Sequence, residues 1–164
     1  MKMKNLSVLI VCVIGFIGCA SATSSVKGTM ATVNTEGNSY EAIIILENSA
    51  ERLIIAKDDG GFILYANIMT SQGNRGGDLF FIIDGNRVNI GNWQDWNIDS
   101  TVTNYHGTFR FCSLNKKLSD NVINSLLNAN NVIVRAINGS AFMGKNEGVD
   151  ISTILSNIKS FISN

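Results

Sequence analysis

The chain of 164 residues balances 13 basic against 13 acidic side chains and contains no proline. It lacks the basic stripe needed to capture phosphate charge, so it does not read as a nucleic-acid binder. Its length suits one domain that buries roughly two thirds of its unfolded surface, which makes a disulfide scaffold unnecessary.

The first 25 residues, MKMKNLSVLIVCVIGFIGCASATSS, have the three parts of an export signal. Lys2 and Lys4 are followed by an apolar core over 6–17 and then by the small residues Gly18, Ala20 and Ala22. That core falls short of the roughly 20 apolar residues needed to span a bilayer, so it reads as a removable address. Loss of the two lysines leaves the exported chain slightly acidic.

Phe16, Ile17, Gly18 and Cys19 resemble the lipobox of bacterial lipoproteins, in which a small residue precedes an obligatory cysteine. Phe16 stands where that family usually carries leucine, and the resemblance covers only the signal and its cut site. It implies diacylation of the Cys19 thiol and cleavage before it. It also implies a lipid anchor in a membrane of the bacterial envelope, the outer one where two exist. Two or three acyl chains hold a protein stably, whereas one does so only marginally. The competing expectation is a cut after Ala22, which also satisfies the small-x-small rule and would release a soluble secreted or periplasmic product. The chain thus divides into a signal peptide (1–18), a short flexible tether (19–25) and one β-rich domain (26–164).

Within that domain, short apolar runs alternate with turn residues, the pattern of antiparallel strands. Strands are expected at 27–33, 40–46, 52–56, 62–69, 79–83, 87–90, 105–113 and 132–137. The run 40–50 would also suit a helix, but three consecutive isoleucines favour a strand. In LFFIIDGNRVNIG, Asp84, Gly85 and Asn86 can supply positive φ between two strand-like runs, which predicts a hairpin. Leu79 to Ile83 is apolar on both faces and should be a central, covered strand.

Two helices are expected in the last third. Ser119 can cap one whose apolar face is Val122, Ile123, Leu126 and Leu127. Ile151, Ile154, Leu155, Ile158, Phe161 and Ile162 give the other its stripe at helical spacing. The predicted fold class is mainly β (α+β): an antiparallel β-sandwich or curled sheet with one internal helix and a C-terminal amphipathic helix.

Four constellations invite a chemical reading. GSAFMGKN, 139–146, approaches a phosphate-binding loop, but Asn146 replaces the hydroxyl that should bind magnesium and Gly148 interrupts the helix that should follow. His106 and Cys112 would be about 20 Å apart on a regular strand, too far for a nucleophile and its base. On that strand Tyr105, Phe109 and Phe111 should share the opposite face and fill the core. Asp95, Asn97 and Asp99 alternate as in a calcium loop, yet Ser100 stands where glycine should turn the chain and His106 where the bidentate glutamate belongs. No metal or cofactor is expected. Arg135, inside the apolar strand VIVRAI, should pair with an acid or run its stem along the surface to water.

The remaining candidate is NWQDWN, where Trp93 and Trp96 sit with Asp95 after the hairpin, and Asp99 follows two residues beyond that run. Exposed indoles beside polar groups can stack on sugar rings or anchor a protein partner, while buried ones close the edge of a core. The sequence therefore points to a lipid-anchored, non-enzymatic binding or assembly module. Its partners are the membrane, through the anchor, and an envelope protein or glycan. Two alternatives stay open. An exported hydrolase could bring two carboxylates together by folding, and a small inhibitor or immunity-type protein could block an enzyme with a loop.

Overall fold

The computed structural model describes residues 25–35, 38–48, 51–71, 76–105, 107–137 and 148–164. The signal, Cys19, His106 and the segment 139–146 lie outside them.

Two antiparallel sheets share one hydrophobic core. One has six strands in the order β1 (Ser25–Thr35), β2 (Asn38–Glu47), β3 (Arg52–Asp58), β4 (Gly61–Ser71), β8 (Gly107–Lys117) and β7 (Asn97–Asn104). The other has four, in the order β10 (Val149–Asp150), β9 (Val132–Ala136), β5 (Leu79–Ile83) and β6 (Asn86–Gly91). Neither sheet closes on itself. Two helices, α1 (Asp120–Asn128) and α2 (Leu155–Ser163), add their apolar stripes to the same core. All eight strands expected from the sequence are present; β1, β2, β3, β4 and β6 run further than the periodicity indicated, and β8 starts later, at Gly107, and runs on to Lys117. No helix among the described residues is long and apolar enough to cross a membrane.

Alternation decides which face is inside. Along β4, Leu64, Ala66 and Ile68 are buried while Ile63, Tyr65 and Met69 face the other way and are only partly covered. In β2 the register shifts between Ile44 and Leu46, so Ile45 and Leu46 both enter the core. Burying each such side chain contributes on the order of 2 kcal/mol.

The hairpin between β5 and β6 turns through Asp84 (φ 48°) and Gly85 (φ 83°), both in the left-handed region that a two-residue turn of this hand requires. Asp84 tolerates that region because its carboxylate is held: Oδ1 accepts from the backbone N–H of Asn130 (3.0 Å) and Asn131 (2.8 Å). Its own N–H donates to the Asn131 carbonyl at 2.9 Å. The turn is thereby fastened to the start of β9, beside which β5 then pairs.

Ser119 caps α1, its hydroxyl accepting from Val122 N–H at 3.4 Å. The second helix starts later than its apolar stripe suggests. Ile151 is buried but lies outside the helix, donating its N–H to the Val132 carbonyl, and a short 3₁₀ turn, Ser152–Ile154, leads into α2. Phe161 of α2 meets Phe62 edge to face at 6.0 Å, with the Lys57 ammonium 5.4 Å from its ring centre.

The expectation for β8 is reversed. Cys112 and Leu114 lie at 1% exposure on the core face, whereas Phe109 and Phe111 are on the other face and half-buried. Tyr105 precedes the strand in the turn and is 92% exposed. The core face is set by the neighbours: Cys112 lies beside Ile68, and Phe111 beside Met69, in the β4 ladder. Aromatic bulk does not override that register.

Arg135 occupies the outer face of the four-stranded sheet, directly across from Phe80. Phe80 is only 2% exposed, and the Arg87 guanidinium lies 4.0 Å from its ring centre. Among the described residues Arg135 has no ion pair.

Candidate functional site

The loop between β6 and β7 carries Trp93, Asp95 and Trp96. Asn92 opens it, its side-chain oxygen accepting from Gln94 N–H at 2.9 Å in a turn that asparagine forms readily. Asp95 closes it from the other side. Its N–H donates to the Asn92 carbonyl (3.0 Å), and its Oδ2 accepts from Asn92 N–H (2.9 Å).

The other carboxylate oxygen of Asp95 receives the Lys116 ammonium at 3.1 Å. The Asn92 N–H, then Lys116 as hydrogen-bond donor and as charge, hold the Asp95 carboxyl below its ordinary value, and partial burial opposes them. The loop is thus fixed to β8, the strand that carries Lys116.

Trp96 and Trp93 part company. Trp96 is 2% exposed, its Nε1 donates to the Gly77 carbonyl at 2.8 Å, and its ring lies against Gly76. A Cβ at Gly76 would fall 2.4 Å from the indole, so only glycine admits the ring there. Trp96 therefore leaves the candidate surface and belongs to the core. Trp93 is 54% exposed, and its indole stands on a loop whose two ends are both anchored.

Asp99 lies four residues beyond Asp95 and is separated from it in role. It is exposed on β7 and accepts from the Ser113 hydroxyl at 2.8 Å. The run that resembled a calcium loop is a strand from Asn97 onward, with a register shift between Ile98 and Ser100. Asp95 and Asp99 are each committed to a different partner on β8. Among the described residues no three or more His, Cys, Asp or Glu side chains gather where a metal ion could be held.

The site that results is one exposed indole rigidly presented beside a neutralised carboxylate–ammonium pair. Such a ring can lie flat on a sugar or enter an apolar pocket of a partner with little loss of conformational freedom. Sequence reading did not find Lys116, Gly76 or Gly77, because each comes from a distant part of the chain and nothing local marks it.

The chain matches no protein-family model, no curated protein and no solved structure.

Proposed function

We propose that this chain is a non-enzymatic binding module of the bacterial cell envelope, lipid-anchored through Cys19 and engaging a protein or glycan partner with Trp93. The anchor rests on the FIGC sequence and the apolar core before it. The binding role rests on one structural observation: two tryptophans three residues apart, one spent on packing, the other held out to solvent by a braced loop. An indole left exposed on a mobile loop would lose part of its contact energy on ordering; this one has little to lose.

The test is a photo-crosslinking residue placed at position 93 of the full chain in cells, with the same residue at Lys27 on the far edge as control. The reading predicts a discrete higher-mass adduct from position 93 that is missing from position 27. Identical adduct patterns from the two positions would overturn the binding role.

A further inference from the structure

β7 is the outermost strand of the six-stranded sheet, and among the described strands it pairs only with β8. All eight of its residues are exposed, including Ile98 and Val102 at 38% and 47%. A strand in this position turns a row of backbone donors and acceptors outward, away from the described sheet. The usual protections are thin: NIDSTVTN has no lysine, arginine or proline, and its register shift and single charge, Asp99, are confined to its first half.

We infer that β7 pairs antiparallel with β7 of a second copy of this chain, about a two-fold axis through Val102. Symmetry limits the choice of register. A two-fold between identical antiparallel strands exchanges equivalent ladder rungs, and in such a ladder bonded and non-bonded pairs alternate, so one residue must stand opposite itself. The regular stretch after the shift is 100–104, and its centre is Val102.

That register sets Val102 against Val102, Thr101 against Thr103, and Ser100 against Asn104. Threonine pairs and β-branched pairs are among the favourable cross-strand neighbours. Asp99 then lies opposite Tyr105 of the other copy, so no like charges meet. On the outer face Val102 sits beside Phe109 on β8, with Phe111 next along that face, and pairing would carry this apolar strip across the junction into the second copy. A partner strand bearing charge would find no complementary residue along 100–104, which favours self-pairing over an unrelated acidic or basic peptide. The pairing is a property of β7 and does not depend on the lipid anchor or on Trp93.

A five-residue ladder buries less than the roughly 1,000 Å² of a stable interface, so the dimer is transient and is best trapped covalently. Residues opposite one another across such a ladder have Cβ atoms about 5 Å apart, near disulfide range. Single cysteines are placed at Asn97, Thr101, Val102 and Thr103 of the full chain, mild oxidation is applied in cells, and disulfide-linked dimer is quantified against the unaltered chain. The inference predicts a maximum at Val102→Cys, roughly fivefold or more above Asn97→Cys, that a second change, Thr101→Lys, abolishes. A flat profile, a maximum elsewhere on β7, dimer no greater than in the unaltered chain, or adducts only with other proteins would each overturn it.

Discussion

The indole N–H of Trp96 donates to the carbonyl of Gly77 across 2.8 Å, bridging nineteen positions of sequence and closing the base of the loop that exposes Trp93. This bond and the close seat on Gly76 make the two tryptophans unequal in energy. Trp96→Ala is expected to cost about 3–5 kcal/mol in denaturant unfolding, by cavity formation and loss of the bond. Trp93→Ala should stay within about 0.5 kcal/mol, as surface changes do. Gly76→Ala should displace the buried indole and shift its fluorescence to longer wavelength. Equal costs for the two tryptophan substitutions would contradict the assignment.

Asp95 gives the loop a dependence on acidity. Its folded-state carboxyl titrates below the unfolded value, so its contribution is complete above an unfolded pKa of about 3.9. The contribution is lost as pH falls through the lower folded value. Wild type should therefore exceed Asp95→Asn in stability by about 1–2 kcal/mol at neutral pH, and the gap should close on acidification below roughly pH 4. Urea unfolding of both proteins from pH 7 to pH 3 checks the sign. A gap that widens toward acid would refute the role given to Asn92 and Lys116.

At the β5–β6 turn, Asp84→Ala should cost about 2 kcal/mol, since it removes the acceptor for Asn130 and Asn131 and leaves a β-carbon at positive φ without compensation. Asp84→Asn keeps an acceptor and a side chain that tolerates this conformation, and should cost under about 1 kcal/mol. Thermal unfolding of the pair measures the difference. If alanine proves no worse than asparagine, the carboxylate does not fasten the turn.

Much of the fold was legible because its signals are local. Leu79 to Ile83 reads as a covered strand from continuous apolarity, and β5 indeed lies between β6 and β9. Asp84–Gly85 and Ser119 mark a turn and a cap by chemistry that acts within a few residues. β7 escaped notice because an edge strand exposed on both faces needs no apolar alternation; Asn97, Asp99, Ser100 and Thr101 look like a loop. The facing of β8 was misread for a related reason. Which side of a strand is inside depends on what the fold stacks against it, and Phe109 and Phe111 lie on the side that neither α1, α2 nor the second sheet covers. Of the candidate site, the two tryptophans were visible in the sequence, but their division into anchor and exposed ring required Gly76, Gly77 and Lys116.

The proposed lipid anchor also predicts behaviour in detergent. Wild type should enter the detergent-rich phase on partitioning, and Cys19→Ala should move to the aqueous phase, with no other change in the chain. Equal partitioning of the two would count against acylation at that sulfur.

Intact-mass measurement of the protein purified from envelopes is the most direct test of a tethered module. The account predicts a chain beginning at Cys19 and heavier than its peptide by two or three fatty acyl groups and a glycerol bridge. A bare peptide beginning at Thr23 would contradict it.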